Sequence, residues 1–183
     1  TGGIGTNVHK LIELFLKTET DNAGAVWNTL TPKEQKMGAT FINWYKTINF
    51  KPVLIEAPLF NPVVGYAGKP DWIAALDTAQ LEAVKPYLTD YSAVPTPGLK
   101  IWDFKTGAER GPQHAAQLAS HLAAWNLDHT EKINGGFIVT VPRDIEDHLD
   151  ITYYSEEYLT GEAYEKGVLC GLKTWFYYDS PKW

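Results

Sequence analysis

Residues 52–107 constrain the fold most, because they contain four short runs of branched and aromatic residues separated by proline and glycine. Runs of this length and composition, bounded by turn residues, are typical of β-strands. They read VLIEAPLF, VVGYAG, DWIAALD and LKIWDFKTG. Between the third and the fourth run, residues 78–98 start with a short helical pattern and become proline-rich, which we interpret as an excursion between two strands. The sequence therefore predicts a β-sheet built around this segment.

Helical patterns lie on both sides of the strand run. Residues 6–17 carry apolar side chains at helical intervals, which predicts an amphipathic helix. Thr-Pro-Lys-Glu at residues 31–34 is a capping box and predicts a helix that reaches about residue 47. After the strand run we expect a helix at residues 111–126, strands at GGFIVTV and LDITYY, and a last helix at residues 155–177.

This order of elements predicts an α/β (or α+β) fold with a central mixed β-sheet flanked by helices. The 183 residues fit one domain, with a helical part at residues 1–50 and a sheet-containing core at residues 51–183. Hydrophobic residues make up 44% of the chain and charged residues 21%, so it can bury a sizeable core and is not expected to be disordered.

Composition narrows the classes of function. The single cysteine, Cys170, excludes an internal disulfide framework, a four-cysteine zinc site and a cysteine-ligated iron–sulfur cluster within this chain. The net charge of −6 argues against a uniformly basic nucleic-acid-binding surface, although local patches and bound cations can still bind nucleic acid. No run of about 18 apolar residues is present, so no membrane contact is expected.

The expected location is intracellular. One free cysteine is typical of a reducing compartment, and the first residues lack the pattern of a signal peptide. The compartment is the cytoplasm, or the interior of an organelle or host cell if a targeting segment has been removed.

Asp103 and Lys105 are unusual residues for the interior of a strand. Residues two apart on a strand point to the same face, so these two side chains project together while Trp102 and Phe104 point to the other face. With Asp71 beside another predicted strand, they suit the binding of a hard divalent cation, because two carboxylates can hold the cation and the lysine can orient what it activates. The alternative is an Asp–Lys ion pair on a solvated strand face.

Five elements, in order along the chain, resemble motifs of the PD-(D/E)XK nuclease superfamily, and of its RecB-like exonuclease branch in particular. GTNVHKLIE resembles the first motif, and Glu56 matches an acid on the strand before the signature. GYAGKPDWIA resembles the G-x-x-D-x-I signature, IWDFKTG is close to the most diagnostic string, and QHAAQLASH resembles the following Q-x-x-x-Q-L helix. The matches span residues 5–121. The resemblance implies a restriction-endonuclease-like fold.

The resemblance also implies a metal site. In the family the first-motif histidine, the two acids and the carbonyl after the second acid bind Mg²⁺ or Mn²⁺. Carried over to this chain, the ligands are His9, Asp71, Asp103 and the backbone carbonyl of Phe104, and Lys105 orients or helps deprotonate the attacking water. The alternative for the histidine is an ordinary residue of the helix surface, paired with an acid at i+4.

Further residues are expected at the substrate. In the family the motif helix borders the active site, so Gln117 is expected to act with the lysine or the nucleic-acid backbone, beside Gln113. Where the branch usually has tyrosine, this chain has His121, which can still donate to a phosphate. Glu56 and Lys69 are also expected beside the substrate. Without four cysteines, the chain resembles the cluster-free viral and mitochondrial genome-maintenance exonucleases, with no iron–sulfur cluster.

We therefore expect a Mg²⁺- or Mn²⁺-dependent nuclease that hydrolyses DNA, acting as an exonuclease on single strands or ends. Three alternatives stay open: a structure-specific endonuclease on the same fold, a catalytically inactive nucleic-acid-binding module, and an accidental match. In the last case His9, Asp71 and Asp103 should lie far apart.

Overall fold

The chain begins with helices that cover one face of a central sheet. The computed structural model describes residues 3–90, 93–107, 111–143 and 148–174. The first three helices are α1 (Gly3–Leu16), α2 (Thr20–Trp27) and α3 (Pro32–Ile48). The predicted capping box is confirmed, because the Thr31 side chain accepts from the Glu34 N–H and the Glu34 carboxylate accepts from the Thr31 N–H. Glu34 is buried and also accepts from Asn7, which ties α3 to α1.

The central sheet has six strands and is mixed. In spatial order they are β1 (Pro52–Ile55), β4 (Trp72–Leu76), β6 (Gly98–Thr106), β7 (Ile133–Val141), β8 (Asp150–Ser155) and β5 (Leu88–Asp90). The pairs β6–β7 and β5–β8 are parallel, and the remaining neighbours are antiparallel. A separate hairpin joins β2 (Leu59–Asn61) and β3 (Tyr66–Gly68). The predicted mixed α/β fold, a central sheet flanked by helices in a single domain, is confirmed.

The two faces of the sheet pack under different helices. Trp72, Trp102 and Phe137 stack in a row across three strands on the face covered by α1 and α3, with ring centroids 5.5 and 4.3 Å apart. Ile101 and the other residues of the opposite face pack under α5 (Pro112–Asp128). Because side chains alternate along β6, the Asp103 and Lys105 side chains belong to the α5 face, as predicted.

The structure refines several predicted elements. The first predicted strand divides into β1 and β2 at Glu56, whose φ is +47°. Residues 78–98 contain α4 (Thr78–Val84), a turn of 3₁₀ helix (Lys85–Tyr87) and β5. The predicted last helix consists of α6 (Glu156–Thr160), a π-helical segment (Ala163–Leu169) and α7 (Cys170–Thr174), and its expected end at residue 177 lies outside the described residues. No helix in the described part of the chain is long and apolar enough to cross a membrane.

Candidate active site

Three acids form a row across neighbouring strands. The pairing of β4 with β6 puts Trp72 opposite Trp102. Asp71, the residue just before β4, therefore comes opposite Asp103. On the other side of β4, the Glu56 N–H donates to the Asp71 carbonyl at 3.1 Å. We call Glu56, Asp71 and Asp103 the carboxylate row. Two of the predicted metal ligands are therefore neighbours in space, although 32 positions separate them in the sequence.

Asp71 is held in place by the backbone of the neighbouring strand. Its Oδ2 accepts the Phe104 N–H at 2.6 Å. The side chain keeps a small opening to solvent, but protein atoms surround it on most sides. Burial first, and then the charge of Asp103, raise the pKa of Asp71 well above its usual range. Burial also raises the pKa of Asp103, against the lowering effect of Lys105. A cation bound between the two carboxyl groups would stabilise their ionised forms.

Lys105 connects the carboxylate row to α5. Its Nζ lies 2.7 Å from Asp103 Oδ2 and donates to Gln117 Oε1 at 3.3 Å. The contact with Asp103 is an ion pair to a carboxylate oxygen that is itself buried. Asp103 is only 2% exposed, so the alternative of a solvated surface pair does not describe this lysine and this acid. Gln117 therefore contacts the lysine in the structure.

His9 lies on the opposite side of the same strand end, in a cleft along α1. The cleft has a volume of about 580 Å³, and we call it the α1 cleft; its lining residues are Gly5, Thr6, His9, Lys10, Glu13, Glu56, Lys69, Asp71 and Thr106. The imidazole meets the Phe104 ring edge-on, with 4.8 Å between the ring centroids. Burial, helped by the charge of Lys105, lowers the pKa of His9 to about 4, which leaves a neutral ring able to bind a metal.

The alternative interpretation of His9 does not fit its surroundings. Glu13, the acid at i+4, forms ion pairs with Lys10 at 3.1 Å and Lys17 at 2.6 Å. Its partners are therefore a lysine of α1 and the lysine that directly follows this helix. His9 and Asp71 line one cleft, and Asp71 lies beside Asp103, so the three residues lie at one end of the sheet, although their side chains do not form a three-ligand group.

Glu56 and Lys69 also meet in the α1 cleft, where they form an ion pair. Glu56 adopts a left-handed backbone conformation that is uncommon for a residue with a side chain and that recurs at functional sites. Lys69 is half exposed. Both residues predicted to lie beside a substrate are thus at the cleft.

Gln113 and His121, both predicted to bind the substrate, differ in their exposure. Gln113 is exposed and folds back over Gly111 at the start of α5, without a contact to Lys105. The His121 side chain is only 4% exposed and packs on Gly68, where an added Cβ would lie 2.3 Å from its Nε2. The structure therefore buries His121 instead of presenting it to a substrate. Burial, with a contribution from Lys105, lowers its pKa to about 4, so it is neutral.

The donors at this strand end suit a hard divalent cation, but side chains alone do not form a complete cage. Among the residues that the structure describes, no group of three or more histidine, cysteine or carboxylate side chains is arranged to hold a metal ion. Oxygen donors from Asp71 and Asp103 lie together, and the Phe104 carbonyl belongs to the same strand end, while His9 approaches from α1. Two carboxylates completed by water and phosphate oxygens are an arrangement that Mg²⁺ commonly accepts.

Comparison with known proteins leaves the family prediction untested. No protein-family model matches the sequence, and no curated protein matches it. The assignment of the site therefore depends on the residues and on their geometry.

Sequence reasoning missed Thr106, which lines the α1 cleft at the end of β6, and Arg143, whose guanidinium lies beside Thr106 next to Gly5. Arg143 is the second residue after β7, and the position of a charged residue just beyond a buried strand was the available signal.

Proposed function

We propose that the chain is a divalent-metal-dependent nuclease that hydrolyses phosphodiester bonds of DNA, acting as an exonuclease on single strands or ends inside the cell. The observation that carries the proposal is the carboxylate row, in which Asp71 and Asp103 lie side by side with Lys105 on the same face as Asp103. The order of the sequence motifs supports the same interpretation.

Asp71 and Asp103 would hold Mg²⁺ or Mn²⁺, together with the Phe104 carbonyl and His9. A bound ion supplies charge that stabilises the phosphoryl transition state and activates water near neutral pH. The hydrogen bond from the Phe104 N–H fixes one oxygen of Asp71, and Asp71 is one of the residues that line the α1 cleft. The neutral imidazole of His9 offers a nitrogen ligand, which favours Mn²⁺ more than an all-oxygen site would.

Lys105 would place a positive charge beside the phosphate. Its ammonium group is oriented from two sides, by Asp103 and by Gln117, so the charge has a defined position before substrate arrives. Preorganised charge of this kind stabilises negative charge that develops on phosphate oxygens. Gln117 thus acts through the lysine as a positioning residue.

One observation favours a second candidate, a nucleic-acid-binding module without catalytic activity. The described side chains do not form a three-ligand group for a metal. Such a module would bind DNA through the same strand end but would not cleave it.

The test is cleavage of end-labelled single- and double-stranded DNA with Mn²⁺, Mg²⁺ or EDTA. We expect cleavage with either metal, none in EDTA, and a loss of at least about 100-fold in Asp103→Asn and Lys105→Ala. Asp128→Asn is the matched control, because Asp128 is an exposed acid at the far end of α5. Substituted proteins that cut as fast as the parent would show that the site assignment is wrong.

A sealed circular single strand separates the two nuclease types. A strict exonuclease leaves the circle intact, whereas an endonuclease opens it. DNA binding without cleavage in either metal, with a folded protein, would instead support the binding module.

A further inference from the structure

Arg143 is a charged residue that the proposed chemistry does not use, and its guanidinium lies next to Gly5, a residue that lines the α1 cleft. It follows β7 by one intervening residue, and β7 runs parallel to β6, with Thr106 paired to Val141. The carboxyl ends of the two strands therefore meet at the same edge of the sheet. This is the edge at which open α/β sheets bind ligands, and it is where Lys105 lies.

The guanidinium of Arg143 lies against α1. A Cβ on Gly5 would stand 3.1 Å from Arg143 Nη2 and 2.8 Å from Thr106 Oγ1, so the guanidinium and the hydroxyl flank the same point of the helix. Gly5 and Thr106 both line the α1 cleft. His9 lies four residues further along the same helix, about one helical turn or ~5.4 Å away. Glycine at position 5 makes this close approach possible.

The positive charges around the cleft differ in whether they already have a partner. Each lysine has a carboxylate: Lys10 with Glu13, Lys69 with Glu56 and Lys105 with Asp103. Arg143 has no carboxylate partner within the described ranges, and its buried Nε has no hydrogen-bond acceptor there. A buried N–H without an acceptor is costly, and a guanidinium stays charged at any physiological pH. An anionic acceptor from outside the chain would offset this unpaired charge.

We propose that Arg143 binds the backbone phosphate next to the scissile phosphate, on a nucleic-acid strand that lies across Gly5, with Thr106 Oγ1 as a second donor. The inference rests on the proposed nuclease function. The planar guanidinium presents its N–H groups as a fork that matches two phosphate oxygens. One helical turn is comparable with the step between neighbouring phosphates, so one strand can reach the site beside His9 and the Arg143 contact together.

Binding without metal tests the contact apart from catalysis. A labelled single-stranded oligonucleotide is titrated in EDTA at several salt concentrations against wild type, Arg143→Gln and Arg143→Lys. Arg143→Gln should bind about tenfold more weakly and lower the slope of log K against log salt by about 0.7. Arg143→Lys keeps the charge, so it should keep the slope while losing the fork and a few-fold in affinity.

Lys132→Gln is the matched control, because Lys132 precedes β7 at the other end of the same strand and is exposed. It removes one charge away from the cleft and should leave the slope unchanged. Circular dichroism verifies that each variant is folded. If Arg143→Gln does not fold, Arg143→Lys serves as the test. An affinity and a salt slope equal to those of wild type in Arg143→Lys would then overturn the fork contact.

A second arm locates the phosphate. Wild type should cleave about tenfold more slowly when the linkage beside the scissile bond is an uncharged methylphosphonate. Arg143→Gln should cleave this substrate as fast as it cleaves the ordinary DNA, because it already lacks the contact. If removal of a terminal phosphate slows wild type but not Arg143→Gln, Arg143 contacts the end of the strand. That result would overturn the assignment to an internal phosphate. Equal salt slopes for wild type and folded Arg143→Gln, with wild-type cleavage intact, would overturn the inference. An Arg143-dependent slope without cleavage in Mg²⁺ or Mn²⁺ would overturn the nuclease proposal instead and support the phosphate contact.

Discussion

Replacing Asp71 by asparagine tests whether the two central acids reduce the stability of the metal-free protein. Burial and the charge of Asp103 raise the pKa of Asp71, while the Phe104 N–H and Lys105 act in the opposite direction. Because the folded state favours the protonated carboxyl, ionised Asp71 costs stability near neutral pH. Asparagine is a neutral side chain of the same shape, and its Oδ1 can accept the Phe104 N–H.

The size of the effect follows from linkage. Each unit by which folding raises an acid's pKa costs about 1.4 kcal/mol once the pH exceeds both values. We expect Asp71→Asn to recover about 2 kcal/mol of this cost, because an amide replaces the carboxylate imperfectly. For a domain of this size, that gain corresponds to a rise in Tm of roughly 4–8 °C.

The assay is thermal unfolding in EDTA from about pH 5 to about pH 8. Between the ordinary and the raised pKa of Asp71, the folded wild type binds more protons than the unfolded chain, so its stability falls as the pH rises. The variant should show a flatter curve. Adding Mg²⁺ should reverse the ranking, because an ion that binds the folded wild type stabilises it by mass action.

Asp128→Asn serves again as the exposed control and should change stability by less than about 0.5 kcal/mol. The reasoning would be refuted by a folded Asp71→Asn that is less stable than wild type in EDTA near neutral pH. A wild-type stability that falls no more steeply with pH than that of the variant would refute it as well.

Three further substitutions test the packing that supports the site. Gly68→Ala should cost about 1–3 kcal/mol by denaturant unfolding, because the new Cβ would meet His121 Nε2 at 2.3 Å, and His121→Ala in the same chain should recover part of the loss. Thr31→Ala should cost about 1 kcal/mol in the same assay, since it removes the N-cap of α3, and Thr31→Ser should not. Lys100 is fully buried, its Nζ donates to the Asn134 carbonyl at 3.0 Å, and burial lowers its pKa to about 8. Between that value and its ordinary pKa the unfolded chain binds more protons, so wild-type stability should rise with pH there, and Lys100→Met should remove this rise.

Local signals predicted the helices with apolar stripes or caps. The capping box at Thr31 is observed with both of its hydrogen bonds, and the apolar face predicted for α5 is buried. Helix α2 was not predicted, because none of its residues is buried and it has no apolar stripe. Strand β5 is three residues long and exists through pairing with β8, about 60 residues further along the chain, which no local pattern reports.

The candidate site was predictable to the extent that it depends on one strand. Alternation along β6 places Asp103 and Lys105 together, and the structure agrees. The approach of Asp71 depends on the register between β4 and β6, which the sequence suggested only through its motif order. The burial of His121 depends on the hairpin that carries Gly68, and the place of Arg143 depends on β7 running parallel to β6. These are contacts between distant segments, which a local pattern does not encode.

The stacked indole rings of Trp72 and Trp102 give the protein an optical reporter of its own. Each tryptophan is the immediate sequence neighbour of a carboxylate in the row, and the two stacked rings are nearly parallel, at 9° to one another. Two indoles held 5.5 Å apart in a fixed orientation couple electronically, and this coupling contributes to the circular dichroism of the folded protein. A slip of one residue between β4 and β6 would move one ring to the other face of the sheet and would separate the two acids in the same event. The dichroism of the folded protein therefore reports, without a label or a substrate, whether the two acids still stand opposite each other.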